Sequence, residues 1–119
     1  MDWTFTEDRP IFQQLFEQLA RRIVSGVYPM GGRLPSVREL AAEAGVNPNT
    51  MQRALAMLET EGLAESNRTL GRVITTDEAR IAAVRTRLAK QAAEKYLETV
   101  RALGLSDEEA AALLKKEEM

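Results

Sequence analysis

Apolar side chains recur at helical spacing in several stretches of this chain, and glycine, proline and small polar residues stand between them. The first stretch predicts a helix from Pro10 to Ser25, with proline at its first position and Gly26 as its stop. The apolar face of this helix consists of Ile11, Phe12, Leu15, Phe16, Leu19 and Ile23. The preceding segment alternates Trp3 and Phe5 with polar residues, which predicts a short extended stretch packing its aromatic rings on the core.

Two short helices joined by a tight turn are predicted next. The second helix opens at Ser36, which has the spacing of a capping box with Glu39, and it ends at Gly45. The third helix is capped by Asn47, and Pro48 suits its first position. The inward-facing residues are Val37, Leu40 and Ala41 in the second helix and Met51, Ala54, Leu55 and Leu58 in the third. This arrangement is typical of a helix-turn-helix, whose second helix enters the major groove of DNA.

After Gly62, two strand-like pieces flank the segment from Asn67 to Gly71, which predicts a β-hairpin, or wing. The predicted fold class is therefore mainly α with a small β-hairpin. A winged helix-turn-helix domain is expected over residues 1–75, followed by a short C-terminal helical region over residues 76–119.

The C-terminal region begins with Thr75 and Glu78, which have the spacing of another capping box, and a long helix is predicted from about Thr76 to Ala102. The apolar stripe of this helix consists of Ile81, Val84, Leu88, Ala92, Tyr96, Val100 and Leu103. Because the helix cannot bury this stripe against itself, a second copy of the chain is predicted to cover it. The alternative is that the helix folds back on the winged domain. Ser106 and Glu109 predict a capped final helix.

Composition narrows the function. The 119 residues are 45% hydrophobic, enough for one modest core and an appendage. There is no cysteine and no histidine, so disulfides, thiol nucleophiles and the commonest metal ligand and general base are missing. We therefore expect no enzyme, metal site or cofactor. No secretion signal and no membrane-spanning apolar stretch is recognisable, which predicts a cytoplasmic location.

The net charge of −2 disfavours a nucleic-acid partner only at first sight, because binding to phosphates depends on the local field. The residues predicted to be exposed opposite the buried stripe of the third helix are Asn49, Thr50, Gln52 and Arg53. Asn and Gln can pair with adenine and Arg with guanine, and Thr50 can reach a phosphate or a thymine methyl. The full set of candidate DNA contacts is Arg33, Ser36, Arg38, Asn47, Asn49, Thr50, Gln52, Arg53, Arg68, Thr69, Gly71 and Arg72. The alternative for these residues is an ordinary solvated face, with Ser36 only capping its helix.

The residues that carry a family resemblance are Leu34–Ala41 (LPSVRELA), Gly45–Thr50 (GVNPNT) and Leu58–Leu63 (LETEGL). Over about Pro10 to Thr75, the chain resembles the GntR family of bacterial transcription regulators, and its short C-terminal part resembles the YtrA subfamily. The resemblance implies a dimer that binds an operator of two related half-sites and usually represses, often at neighbouring ABC-transporter genes.

In that family, DNA contacts come from the arginine of the second helix, the start of the third helix and the wing. The resemblance therefore implies DNA contacts by the following residues: Arg38, Asn49, Thr50, Gln52, Arg53, Arg68, Thr69 and Gly71. A small apolar effector could sit near Trp3, Tyr28 or Tyr96, although each of these rings also fits a core position. The alternative function is a winged-helix protein-interaction module that does not bind DNA.

Overall fold

The computed structural model describes residues 2–116, which form five helices and two strands. The helices are α1 (Ile11–Val24), α2 (Val37–Ala44), α3 (Pro48–Thr60), α4 (Glu78–Ala102) and α5 (Asp107–Lys116). The strands are β1 (Ala64–Asn67) and β2 (Gly71–Ile74). This architecture confirms the predicted mainly helical class with a small hairpin. The contacts define one compact unit that ends at Arg85 and a second that begins at Thr86, while a functional division near Thr75 stays a prediction.

Helix α1 is one residue shorter at each end than the sequence pattern predicts. Pro10 occupies the N-cap and not the first helical position, because its ψ of 139° is extended. The carbonyl of Pro10 still accepts the first helical hydrogen bond, from the backbone N–H of Gln14 at 3.4 Å. Ser25 forms the C-cap, and its N–H reaches the Arg21 carbonyl at 3.0 Å.

The segment before α1 is held by two glutamine side chains of that helix. Gln14 is buried at 3% exposure; its amide group accepts from Thr6 N at 2.8 Å and donates to the carbonyls of Thr6 and Arg9. Gln18 pairs in the same manner with the backbone of Thr4, at 3.1 and 2.7 Å. Because the buried amide of Gln14 has its partners, it is tolerated on a face that the pattern predicts to be apolar.

Trp3 lies at the outer end of this segment. The Arg22 guanidinium sits 3.8 Å from the centroid of its ring, and the indole N–H donates to Glu43 of α2 at 3.1 Å. The ring of Phe5 stacks beside it, with centroids 6.5 Å apart. The half-buried aromatic pair therefore connects the leading segment to both α1 and α2.

The core of the first unit forms where α1 and α2 pack on α3. The largest fully buried side chains are Leu15, Leu19, Leu40, Met51, Leu55, Leu58, Leu63 and Ile74. These positions include part of the predicted inward face of each of the three helices, whereas the predicted inward residues Ile11, Phe12, Phe16 and Val37 are only half-buried. Their burial supplies the main stabilising term for the unit, since each fully buried side chain of this size contributes about 1.5–3 kcal/mol.

Strands β1 and β2 form an antiparallel hairpin in which Ala64 faces Ile74 and Asn67 faces Gly71. The stretch before α2, which the glycine and proline content predicts to be a loop, adds backbone hydrogen bonds along β2. Leu34 N donates to Arg72 O at 2.9 Å, and Gly31 N donates to Ile74 O at 3.0 Å. The outer edge of β2 is thus covered, and the hairpin is joined to the residues that lead into α2.

Helix α4 begins two residues later than predicted, and the predicted Thr75–Glu78 capping box is wrong. Asp77 is the capping residue: its carboxylate accepts from Arg80 N at 3.1 Å. The hydroxyl of Thr75 accepts instead from Asp77 N, also at 3.1 Å. A carboxylate one residue before the helix therefore supplies the cap, and Thr75 orders the approach to it.

The first turns of α4 belong to the first unit. Ile81 and Val84 are buried there, and the Arg85 guanidinium donates to the carbonyl of Val24 at 3.0 and 2.7 Å. This carbonyl lies at the end of α1, where a cation also complements the helix dipole. None of the helices within residues 2–116 is long and apolar enough to cross a membrane.

The second unit contains the rest of α4 and α5. Val100 and Ala110 are buried, and the Tyr96 hydroxyl donates to the carbonyl of Ala110 at 2.7 Å. The predicted capping box of α5 is confirmed, because Ser106 and Glu109 exchange hydrogen bonds at 3.0 and 3.1 Å. The part of the predicted stripe that lies here is only partly covered, because Leu88 and Tyr96 are half-buried and Ala92 and Leu103 are exposed.

Candidate nucleic-acid interface

The turn between α2 and α3 is set by one glycine and one asparagine. Gly45 ends α2 with a φ of +71°, a left-handed conformation that glycine adopts without strain. Two residues later, the side-chain oxygen of Asn47 accepts from Asn49 N at 2.8 Å, and Pro48 takes the first helical position. The predicted caps of this turn are confirmed. Since the side-chain oxygen of Asn47 is used by the cap, its NH₂ group is the part that can face a ligand.

The start of α3 presents polar side chains. Asn49 and Gln52 are exposed, whereas Thr50 is half-buried and so less accessible than the helical spacing predicts. Met51 and Leu55, on the opposite face, are fully buried and fix the rotation of the helix. The free N–H groups and partial positive charge of this helix end favour a phosphate nearby.

Arg53 lies one turn further along α3. Its side chain is exposed, but the guanidinium carbon stands 3.7 Å from the ring centroid of Phe12 on α1. This is the geometry of a cation–π contact. The arginine therefore has a defined orientation before any ligand binds, which the sequence alone does not indicate.

The start of α2 carries Ser36 and Arg38. The Ser36 hydroxyl accepts from Glu39 N at 3.1 Å, and the Glu39 carboxylate accepts from Ser36 N at 3.4 Å, so the predicted capping box is confirmed. Arg38 is exposed on the first turn. Arg33, four residues before the helix, is exposed as well and forms an isolated backbone bridge with Val73 of the hairpin.

The tip of the wing is shaped by Asn67. Its side-chain oxygen accepts from the backbone N–H groups of Thr69 and Leu70, each at 2.9 Å. Gly71 closes the turn with a φ of +83°. Arg68 and Thr69 are exposed at the tip, so the turn displays one cation and one hydroxyl on a backbone that Asn67 orders.

The base of the wing contains an acidic residue that sequence reasoning missed. Oε1 of Glu59, near the end of α3, accepts from Nε of Arg72 at 3.2 Å and from Oγ of Ser66 at 2.6 Å. Arg72, a candidate DNA contact by sequence, thus directs at least one of its donors toward α3. No local spacing reveals this cluster, because it depends on the register of the hairpin.

Several candidates share one cleft of about 380 Å³ between the start of α2 and the wing. Its lining includes Arg33, Ser36, Gly71 and Arg72. No residue of α3 lines this cleft, but α3 packs against α2, whose first residue does. Two helices joined by a tight turn and flanked by a two-stranded hairpin define a winged helix-turn-helix protein.

Comparison with known proteins identifies the family. The family model for bacterial regulatory proteins of the gntR family matches residues 11–74, which include the three helices and the wing. The chain belongs to the GntR family, and it is a transcriptional regulator with a DNA-binding helix-turn-helix.

Three relatives illustrate how far the similarity extends. The HTH-type transcriptional regulator YhcF of Bacillus subtilis (strain 168) is 34% identical over 109 residues, which are 92% of this chain and 90% of that protein. The HTH-type transcriptional repressor YtrA of the same organism is 41% identical over 66 residues, 56% of this chain and 51% of YtrA. A structure of a GntR family transcriptional regulator from Listeria monocytogenes superposes with a TM-score of 0.85 at 38% identity, covering 94% of this chain and 98% of that one.

Proposed function

We propose that this regulator is a dimeric repressor of the YtrA subfamily that binds an operator made of two related half-sites. The start of α3 lies in the major groove, the start of α2 faces the phosphate backbone, and the wing tip contacts the neighbouring groove. The observation that carries this proposal is the exposure of Asn49 and Gln52 on the first turns of a helix whose opposite face is fully buried. Both side chains can pair bidentately with adenine.

The distribution of positive charge also supports DNA binding by the starts of α2 and α3 and the wing tip. Arg38 at the start of α2, Arg68 at the wing tip and Arg33 between the two elements are all exposed. Arginine binds phosphate and guanine through a planar fork of donors, so three such side chains provide a local positive field on a chain of net charge −2.

The proposed dimer uses the second unit. Ile81, Val84 and Val100 of the predicted stripe are buried within the single chain, so the surface offered to a partner lies elsewhere on α4 and α5. Leu103 is 75% exposed, and Leu113 and Leu114 of α5 are exposed as well. Covering these leucines with a second copy would remove them from water and would supply the two-fold symmetry that two related half-sites require.

The proposed repression follows the similarity to YtrA, which is named a transcriptional repressor. YtrA-like members often control neighbouring ABC-transporter genes, so the promoters of such genes and of this gene itself are the first DNA fragments to test. The assay is fluorescence anisotropy with each fragment and with unrelated duplex DNA of equal length, at several salt concentrations.

Replacing Arg38 with alanine tests the interface. A lost base contact costs about 1–3 kcal/mol of binding free energy and relaxes sequence specificity. A lost phosphate contact leaves specificity unchanged and reduces the slope of log affinity against log salt concentration by about one. Arg21→Ala, which removes an exposed arginine from α1, is the control of equal charge. Wild-type protein that binds neither the promoter fragments nor unrelated DNA, even at low salt, would contradict the proposal and favour a protein-interaction module.

Light scattering tests the dimer separately. The wild-type chain is expected to have twice the mass of the 13.3 kDa monomer at micromolar concentration. Leu103→Glu, placed on the exposed part of the stripe, is expected to shift it toward the monomer. A monomeric wild type, or a dimer unaffected by this charge, would contradict the proposed surface.

A further inference from the structure

One carboxylate oxygen near the end of α3 binds both strands of the wing. Glu59 Oε1 accepts from Ser66 Oγ on β1 at 2.6 Å and from Arg72 Nε on β2 at 3.2 Å. Ser66 and Arg72 face each other directly in the register of the hairpin. The acceptor on the helix therefore contacts a cross-strand pair, and any rotation of the wing about its base would break at least one of the two bonds.

The bond between Glu59 and Arg72 is partly shielded from water, whereas Ser66 is exposed. The side chains of Arg72 and Glu59 are only 18% and 31% exposed, so water competes less than it does at an open surface pair. Both contacts are hydrogen bonds to a charged group, the stronger class in proteins. A two-stranded hairpin is marginally stable by itself. Backbone hydrogen bonds from Gly31 and Leu34 join β2 to the residues before α2, and the Glu59 bonds join the hairpin to α3.

We propose that Glu59 is a positioning residue for DNA recognition. It holds the wing at a fixed angle to α3, so that Arg68 and Thr69 at the tip reach DNA in register with Asn49 and Gln52 at the start of the helix. Arg72 then serves as the link between Glu59 and the hairpin. This role rests on the proposed function, because it matters only if helix and wing contact the same duplex.

The direction in which DNA affinity changes when Glu59 is removed distinguishes a positioning role from a purely electrostatic one. Glu59 is an anion close to a surface that is proposed to bind phosphates, and removing it should raise affinity for any DNA through the local field. A positioning role predicts the opposite for specific binding, since a misdirected wing loses contacts that only the correct sequence provides. The ratio of operator affinity to unrelated-DNA affinity is therefore the decisive quantity.

The experiment compares Glu59→Ala, Glu59→Gln and Glu65→Ala with the wild type. Glutamine keeps an acceptor oxygen for Ser66 and Arg72, and Glu65 is an exposed carboxylate on the neighbouring position of β1. Glu59→Ala is expected to lower the affinity ratio about tenfold, within the range for loss of a base contact. Glu59→Gln and Glu65→Ala are expected to stay within about twofold of the wild type.

A spectroscopic measurement tests the link without DNA. In an NMR exchange experiment, the Nε–H of Arg72 should be protected from exchange with water in the wild type and in Glu59→Gln. This protection should be absent in Glu59→Ala. An unprotected Nε–H in the wild type would refute the hydrogen bond between Arg72 and Glu59, and with it the positioning role. Circular dichroism confirms that each variant is folded before its DNA affinity is compared.

The outcomes distinguish this inference from the function on which it rests. A wild type that does not discriminate between operator and unrelated DNA refutes the proposed function and the positioning role together. A wild type that discriminates, with Glu59→Ala discriminating equally well, overturns the positioning role and leaves the function standing. A loss in Glu65→Ala as large as in Glu59→Ala would also overturn it, since removing an exposed carboxylate of the hairpin would then have the same effect as removing the acceptor of Ser66 and Arg72.

Discussion

Replacing Phe12 with leucine removes the ring beneath the Arg53 guanidinium while keeping an apolar side chain at the start of α1. The guanidinium carbon lies 3.7 Å from the ring centroid, and the arginine is exposed, so the contact is worth about 0.5–1 kcal/mol. The smaller side chain of the half-buried Phe12 adds up to about 1 kcal/mol of lost apolar burial. Phe12→Leu should therefore lower the free energy of unfolding by about 0.5–2 kcal/mol in total.

The same substitution is expected to weaken operator binding. If Arg53 contacts DNA from its stacked position, loss of the ring frees the guanidinium, and the stacking energy is no longer available to orient it. An energy of 0.5–1 kcal/mol corresponds to about a two- to fivefold loss of affinity. Arg53→Ala should lose more, because it removes the contact itself.

A double-mutant cycle isolates the interaction. Urea unfolding of the wild type, Phe12→Leu, Arg53→Ala and the double variant should give a coupling energy of about 0.5–1 kcal/mol. Phe16→Leu, the same substitution one turn along α1, is the matched control and should not couple to Arg53. Zero coupling for Phe12 would refute the stacking in solution. Tighter operator binding by Phe12→Leu would show that the ring withholds Arg53 from DNA.

Three further predictions concern stability. Asn47→Ala removes the cap that accepts from Asn49 N at 2.8 Å and should destabilise the fold by about 1 kcal/mol in urea unfolding, with Asn47→Asp largely unaffected. Leu55→Ala empties a fully buried site and should cost about 2–5 kcal/mol by the same assay; a cost below about 1 kcal/mol would contradict the packing. Arg101 donates to both carboxylate oxygens of Asp107 at 2.7 Å, and this holds the pKa of Asp107 below its ordinary value. Because the folded pKa is lowered, the stabilisation is present above the ordinary carboxyl pKa and lost as the pH falls through the lowered one. Arg101→Ala should raise the pKa of Asp107 in an NMR titration, and an unchanged value would contradict the pair.

Short-range signals predict much of this fold. The capping pairs Ser36–Glu39 and Ser106–Glu109 lie within four residues, so the sequence contains all the partners that determine where α2 and α5 begin. The same spacing at Thr75 misleads, because Asp77 lies closer to the helix and offers a stronger acceptor for its free N–H groups. A spacing rule cannot choose between two competing caps without the backbone geometry.

The functional surface is less predictable than the fold. Exposure of Asn49 and Gln52 follows from helical spacing, since the buried stripe of α3 is clear in the sequence. The partners of Arg53 and Arg72 do not follow, because Phe12 lies on a different helix and Glu59 meets the hairpin only in one register. Contacts between elements require their relative placement, which hydrophobic periodicity does not provide.

Trp3 is the single tryptophan of the chain, and it is fixed between the Arg22 guanidinium and the Glu43 carboxylate. Its indole emission is therefore an intrinsic optical probe of whether the leading segment stays attached to α1 and α2. Detachment would expose the ring to solvent and shift the emission to longer wavelength, with no label added to the protein. The same signal can be followed in stopped flow while DNA is mixed in, so it reports in real time whether the contacts of Trp3 with Arg22 and Glu43 change when DNA binds.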